Sequence, residues 1–216
     1  MLSEGAKRAA WFCFLIFCGS MPLAAGCMMR LTVDRSAPPV VDLKKYQPVA
    51  ILPPADAPGF AGSGALLLAA SQEVLKAKNF SVTVPQRADQ VLQEMNLSAR
   101  EVSRDPALRR RFGEILRSRI ILVPTLLDYR SQKSYISSST TQVWQGGAYE
   151  YQSLPTYHQG FCEMKISLEM FDVEKGTAVW TAEGRGRGLS GSEGGILRHL
   201  VMDLTRDLPL LPEKRE

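Results

Sequence analysis

The sequence has little histidine and little cysteine, with two histidines and four cysteines in 216 residues. Neither His158 nor His199 has a cysteine or carboxylate cluster near it at metal-ligand spacing. The chain also lacks a nucleophile elbow and a P-loop, and no local motif joins Asp128, a nearby serine and His158 into a triad. The sequence therefore predicts a non-enzymatic protein with no metal site and no bound cofactor.

The sequence also lacks an apolar run long enough for a transmembrane helix. The run Ala9–Cys18 stops at Gly19-Ser20, whereas a bilayer core requires about 20 apolar residues in a helix. Lys7 and Arg8 precede this run and small residues follow it, which is typical of a secretory signal. Residues 1–26 are therefore predicted to be a signal peptide.

Residues 23–27, with the sequence LAAGC, resemble the lipobox of bacterial lipoproteins. The resemblance implies cleavage before Cys27 and acylation of its thiol and new amino group, so that covalent lipid is the only group attached to the chain. The alternative is an ordinary secretory signal followed by a chance cysteine. Met28 stands where inner-membrane lipoproteins of enteric bacteria often carry aspartate. This favours anchoring in the outer membrane, with the domain facing the periplasm.

Composition is ordinary for one globular domain, with 45% hydrophobic and 22% charged residues. The net charge of +4 is too small and too dispersed to indicate nucleic-acid binding. Cys162 is the cysteine left after signal removal and lipidation, so the mature chain has no partner for an intramolecular disulfide. It alternates with Met164 and Ile166, which predicts a buried side chain rather than a reactive thiol.

Apolar periodicity predicts an α/β fold with a mixed three-to-five-stranded sheet covered by helices. Residues 27–47 are predicted to be a lipid-anchored flexible linker, 48–209 a single periplasmic domain and 210–216 a charged tail. Pro124 is unexpected inside a central strand, because proline removes a ladder donor. Strands are predicted over 49–52, 80–84, 120–129, 161–173 and 177–183, and helices over 67–78, 88–97, 106–116 and 196–208.

The segment Arg130–Gly160 is a long polar and aromatic insert within this domain. Residues 140–144 and 148–151 flank Gly146-Gly147, which predicts a projecting hairpin. Exposed aromatic side chains bury large areas at low entropic cost, so the insert is predicted to bind a partner. A mobile extension without a dedicated function and a membrane-contacting or pore-forming element are the alternatives. The candidate partner-binding residues are Tyr135, Trp144, Tyr149, Tyr151 and Tyr157.

Two arginine-rich segments are weaker candidates. Alternation places the glycines of Gly184–Gly188 on one strand face and Arg185 and Arg187 on the other, which favours a close-packed or flexible strand end over an anion-binding site at these two arginines. Residues 109–119 form a basic helical segment, for which a solvated face is the first interpretation and attraction to anionic lipid or cell-wall polymer the second. Its arginines are Arg109, Arg110, Arg111, Arg117 and Arg119.

Residues 49–53, 80–94 and 172–180, with the apolar strand that follows the Asp105-Pro106 helix, together resemble one family of periplasmic lipoprotein domains. This family includes the curli secretion lipoprotein CsgG and the penicillin-binding-protein activator LpoB. The resemblance covers about residues 48–208. It implies an accessory factor that binds another envelope protein in envelope assembly, secretion or cell-wall synthesis. The alternative is a homo-oligomeric secretion channel like that of CsgG, but residues 177–196 leave no room for a second membrane hairpin.

Overall fold

A computed structural model describes residues 29–145 and 148–212, except the side chains of residues 139, 141–143, 145 and 148–154. The predicted signal peptide, Cys27 and the end of the tail lie outside the described residues. Strands comprise β1 (Arg30–Ser36), β2 (Val49–Ile51), β3 (Ile120–Gln132), β4 (Tyr135–Gln145), β5 (Ala148–His158), β6 (Phe161–Asp172) and β7 (Ala178–Leu189). Helices comprise α1 (Ser63–Ala77), α2 (Pro85–Met95), α3 (Ala99–Arg104), α4 (Pro106–Ile115) and α5 (Glu193–Leu204).

Five strands form one mixed sheet in the order β1-β7-β6-β3-β2. Only the β2–β3 pair is parallel among these neighbours, and β4 and β5 form a separate two-stranded antiparallel sheet. This architecture confirms the predicted α/β class, the mixed sheet and the hairpin insert.

The β6–β7 hairpin follows directly from the sequence pattern. Buried and half-buried residues alternate along the whole of β6, as expected for a strand with one covered face. Its turn is closed by Asp172, whose Oδ1 accepts hydrogen bonds from the backbone N–H of Glu174 at 2.9 Å and of Lys175 at 3.0 Å. Gly176 has φ 68°, a left-handed conformation that favours glycine.

Pro124 fits β3 because its nitrogen points past the end of the neighbouring strand. The carbonyl of Leu122 accepts a hydrogen bond from Leu52 N–H at 2.9 Å, so the peptide polar groups of Leu122 face β2. Groups two residues apart on a strand point to the same side, so Pro124 faces that side too. Since β2 ends at Ile51, whose partner in register is Leu122, the β2–β3 ladder stops before it reaches Pro124.

The helix predicted after Asp105 begins where expected. Asp105 Oδ1 accepts from the N–H groups of Ala107 at 2.8 Å and Leu108 at 3.4 Å, and Pro106 occupies the first turn of α4. The short helix α3 was not predicted, although Ser98 and Glu101 form a capping box at its start.

Helices cover both faces of the sheet unequally. Helices α1 and α5 pack on one face and form a core with side chains from β2, β3, β6 and β7. Helices α2, α3 and α4 pack on the other face with residues of β2 and β3 and with Val173 and Phe171 near the end of β6. The remainder of that second face presents the charged side chains of β6 and β7, such as Lys165 and Glu183, which form an ion pair.

Glycines of β7 let α5 approach the sheet closely. A Cβ on Gly186 would overlap with Cγ2 of Ile196, and one on Gly184 would lie 3.0 Å from Leu204 Cδ2. Gly188 would place its Cβ 2.7 Å from Ile196 Cδ1. The close-packed strand end predicted for this segment is confirmed, and β7 continues to Leu189 rather than ending at Glu183.

The prediction that residues 27–47 form a flexible linker is wrong for Arg30–Ser36. These residues are the edge strand β1, in antiparallel register with β7 from Arg30↔Arg187 to Ser36↔Ala182. Leu31 packs against the core that α1 and α5 form with the sheet, and Leu43 is buried in that core. On an edge strand, charged residues face solvent and interrupt the apolar alternation that would indicate a strand.

Two predicted elements are shorter than expected. The strand predicted over 80–84 is reduced to one parallel bridge, Val49↔Val82, because α2 begins at Pro85. The last helix ends at Leu204 rather than Leu208, and Thr205 Oγ1 donates to the Val201 carbonyl at its end.

Candidate functional site

The β4–β5 hairpin is the most exposed aromatic element in the described part of the chain. Both strands have 11 residues and pair from Tyr135↔His158 to Gln145↔Ala148, which leaves Gly146-Gly147 as the connection, outside the described residues. The sequence prediction of a hairpin around these glycines is therefore confirmed.

Three of the five predicted contact residues have described side chains, and all three are exposed. The exposed fractions are 49% for Tyr135, 59% for Trp144 and 65% for Tyr157, and Ile136 is exposed beside them. Ile136 pairs with Tyr157 and lies eight residues before Trp144, so these three residues belong to one face of the hairpin. Predicted residues Tyr149 and Tyr151 lie in β5, and their side chains are outside the described part.

The base of the hairpin is held by contacts on its other face. The rings of Tyr135 and His158 stack with centroids 4.5 Å apart, and His158 Nε2 lies 2.8 Å from Ser137 Oγ. Gly160 N–H donates to Ser134 Oγ at 2.8 Å, and a Cβ on Gly160 would collide with the Gln132 carbonyl. The exposed aromatic face therefore extends from a base held by a ring stack and hydrogen bonds.

The hairpin leaves the main sheet at the same end as the amino terminus of β1. In register, Gln132 at the end of β3 lies opposite Phe161, and Phe161 lies opposite Leu189 at the end of β7. On the other side of β7, Arg30 lies opposite Arg187, two residues before Leu189. We call this the hairpin end of the sheet. Sequence reasoning missed this arrangement because it depends on the strand order.

Arg185 and Arg187, the weakly predicted anion-binding pair, are exposed on β7 near the hairpin end. The Arg187 guanidinium lies over the Phe161 ring at 4.3 Å, and Arg185 Nε donates to Asp34 Oδ2 at 2.9 Å. Together with Arg30 they line a cleft of about 200 Å³. The structure thus brings the predicted pair together and adds a third arginine from β1.

The basic segment 109–119 is not a uniformly solvated face. Arg109 is buried, lies over the Phe171 ring at 4.0 Å and donates to the carbonyls of Ser103 and Gly176. Burial lowers the pKa of its guanidinium, opposed by the charges of Glu169 and Asp105. Arg109 is therefore a structural residue. The other four arginines are exposed, and Arg110 pairs with Glu114 at 2.9 Å.

The residues that carry potential chemistry are separated. Cys162 is buried, and burial raises the pKa of its thiol to about 11. Asp128 pairs with Arg130 at 3.1 Å, while His199 Nδ1 lies 2.8 Å from the Gly195 carbonyl on its own helix. Within residues 29–145 and 148–212, no group of three or more His, Cys, Asp or Glu side chains is placed to hold a metal ion.

Two concave surfaces were not predicted. One, of about 450 Å³, lies at the end of the sheet opposite the hairpin and is lined in part by Lys45, Arg117, Arg119 and Asp172. The other, of about 410 Å³, lies beside Pro124 between residues 53–58 and α3. The sequence signal of the first is the basic segment 109–119, which supplies Arg110, Arg117 and Arg119 to it. The sequence signal of the second is its prolines, Pro53, Pro54, Pro58 and Pro124. Over the described ranges, no helix has the length and apolarity that crossing a membrane requires.

Comparisons with known proteins find a shared fold but no family. No protein-family model matches the chain, and no curated protein matches it in sequence. Among solved structures, the PelC dodecamer from Paraburkholderia phytofirmans has a TM-score of 0.53 and 16% identity, with 85% of this chain and 100% of that chain covered. The chain therefore has the fold of a PelC subunit.

Solved bacterial lipoproteins are also among the similar structures. Lipoprotein GNA1162 from Neisseria meningitidis matches with a TM-score of 0.48 and 16% identity, over 74% of this chain and 96% of that chain. The LpoB C-terminal domain from Salmonella enterica matches with a TM-score of 0.38 and 8% identity, over 65% of this chain and 82% of that chain.

Proposed function

We propose that this protein is a lipid-anchored envelope lipoprotein that works by binding rather than by catalysis. In this proposal, lipid on Cys27 holds the chain in the outer membrane, and the α/β domain lies in the periplasm. The β4–β5 hairpin contacts another envelope protein in assembly, secretion or cell-wall synthesis. The observation that carries the proposal is the exposed face of Ile136, Trp144 and Tyr157 on a hairpin whose base is fixed by packing.

The position of the hairpin supports a partner close to the membrane. Cys27 precedes Arg30 by three residues, and Arg30 begins β1 at the hairpin end of the sheet. The proposed anchor and the proposed contact element therefore leave the domain on the same side. A partner embedded in or seated on the same membrane fits this arrangement better than one deep in the periplasm.

A second candidate is self-assembly into a ring, including the CsgG-like channel that the sequence resemblance offered as an alternative. Two observations favour self-assembly. The PelC structure with the same fold is a dodecamer, and each strand of the β4–β5 sheet pairs with one neighbour only in the described chain. An unpaired strand edge is a template for pairing with another chain.

Site-specific photo-crosslinking in cells tests both candidates. A photoreactive residue replaces Trp144 or Tyr157 in the full-length protein, and Arg119 at the opposite end of the sheet serves as the control position. One discrete adduct with the same foreign envelope protein from both hairpin positions, absent from Arg119, supports the first candidate. An adduct between two copies of this chain supports the second. Acylated protein without an adduct from either hairpin position contradicts both.

A further inference from the structure

The chain between the proposed anchor and the hairpin end of the sheet is very short. Residues 28 and 29 lie between Cys27 and β1, which begins at Arg30. Three residues in extended conformation span at most about 11 Å. If Cys27 carries lipid, as the proposed function holds, Arg30 lies within this distance of the lipid headgroups.

Three arginines of the hairpin end form a cleft at this position. Arg30 stands on β1, and Arg185 and Arg187 stand on the neighbouring strand β7. The Arg187 guanidinium lies over the Phe161 ring, and Arg185 uses its Nε for Asp34, which leaves the terminal N–H groups of the Arg185 guanidinium for another acceptor. Glu163 also lines the cleft, directly across from Arg187 in register.

The charge of this cleft favours an anion. The cleft and its immediate neighbours contain three guanidinium groups and two carboxylates, those of Asp34 and Glu163. Arg30 has no ion-pair partner among the described residues. Guanidinium groups bind phosphate oxygens in a bidentate manner. The remaining lining residues, Thr32 and Gly186, add no charge.

We propose that this cleft binds the phosphate headgroup of an anionic lipid in the membrane that holds Cys27. The proposal rests on the proposed lipid anchor and deepens it, because a bound headgroup would fix how the sheet stands on the membrane. The arginines of residues 110–119 do not compete for this role: Arg119 precedes β3, and Arg109 contacts the Gly176 turn, both at the opposite end. A basic residue near an anionic surface contributes about a fivefold gain in binding.

Arginine modification by phenylglyoxal tests the proposal on the acylated full-length protein. The protein is reconstituted in vesicles of phosphatidylcholine alone or of phosphatidylcholine with phosphatidylglycerol, and modification is followed by peptide mass spectrometry. We expect Arg30 and Arg187 to react several-fold more slowly in the anionic vesicles, whereas Arg119 reacts at the same rate in both. The mass of the amino-terminal peptide reports separately whether Cys27 carries lipid.

The outcomes separate the possible failures. Equal rates for Arg30 and Arg187 in both vesicles, with Cys27 acylated, overturn the headgroup site and leave the anchor intact. An amino-terminal peptide without lipid overturns the proposed anchor instead, and the headgroup site with it. Inorganic phosphate that protects these arginines as well in phosphatidylcholine vesicles as the anionic lipid does would show a site for soluble anions, which also overturns the proposal.

A variant gives an independent readout. Arg30→Gln with Arg187→Gln, in the acylated protein, is expected to abolish the difference that the anionic lipid makes to modification of Arg185. Arg119→Gln is the matched control and is expected to preserve that difference. A difference that persists unchanged in the double variant overturns the proposal. Because these arginines are exposed, thermal unfolding of the variants is expected to stay close to that of the parent protein.

Discussion

Substitution of Gly186 by alanine is expected to destabilise the protein by loosening the contact between α5 and β7. The new Cβ would overlap with Ile196 Cγ2, lie 3.2 Å from Leu31 Cδ2 and lie 3.5 Å from Leu200 Cδ2, whereas carbon atoms pack at about 3.5–4.0 Å. Ile196 is β-branched and fully buried, so its side chain has little freedom to move away. Overpacking of this kind costs about 1–3 kcal/mol, and the lower backbone entropy of unfolded alanine offsets about 0.5–1 kcal/mol.

With about 2 kcal/mol for the overlap and about 0.7 kcal/mol for the offset, the net loss is about 1.3 kcal/mol. It corresponds to a fall in Tm of about 3–5 °C for a domain of this size, measured by calorimetry or circular dichroism. Gly195→Ala on α5 is the matched control, because its Cβ would meet no atom within 4 Å. It is expected to raise Tm slightly. Ile196→Ala should relieve the clash, so the double variant with Gly186→Ala should lose less than the sum of the single losses. An unchanged or higher Tm for Gly186→Ala would refute the close packing.

Three further predictions concern individual side chains. Cys162 in the folded protein should resist alkylation at about pH 9, where an exposed thiol is largely ionised, and should react after unfolding; fast native reaction contradicts its burial. Arg109→Met should lower the free energy of unfolding in urea by about 1–3 kcal/mol, because two backbone carbonyls lose their donor, whereas exposed Arg111→Met should change it by less than about 0.5 kcal/mol. Equal effects would show that Arg109 is not structural. Hydrogen bonds from Gly62 and Gly64 lower the pKa of Asp56, so its contribution to stability is present above about pH 4 and is lost as pH falls through the lower folded-state pKa. Asp56→Asn should reduce how much the free energy of unfolding falls as the pH is lowered. The same fall in the variant and in the parent protein would contradict this.

The elements that were predicted correctly are those whose sequence pattern reports directly on burial. Strand β6 alternates because one face is covered by α1 and α5, and α4 begins at an Asp-Pro pair that satisfies its first N–H groups. Strand β1 was missed for the opposite reason. It pairs on one side only, and its apolar alternation is limited to Leu31 and Val33, after which charged residues follow.

The candidate site was predictable in its parts but not in its arrangement. The Gly146-Gly147 pair and the flanking aromatics indicated the hairpin. A connection of two residues sets the register that places Tyr135 opposite His158, but the predicted strands, 140–144 and 148–151, stop short of this pair. Likewise, the cleft of Arg30, Arg185 and Arg187 requires β1 to be the neighbour of β7, which no local pattern reports.

The inclusion of β1 in the sheet changes what a lipid on Cys27 would do. A flexible linker of about 20 residues would let the domain move roughly 25 Å from the membrane, whereas the three residues from Cys27 to Arg30 span at most about 11 Å. Because β1 pairs with β7 along its length, the short connection would hold the sheet itself and not a loose terminus. The hairpin leaves the sheet at the same end, so its exposed aromatic face would lie close to the bilayer. The proposed binding partner is therefore expected on or in the membrane that would carry the proposed anchor.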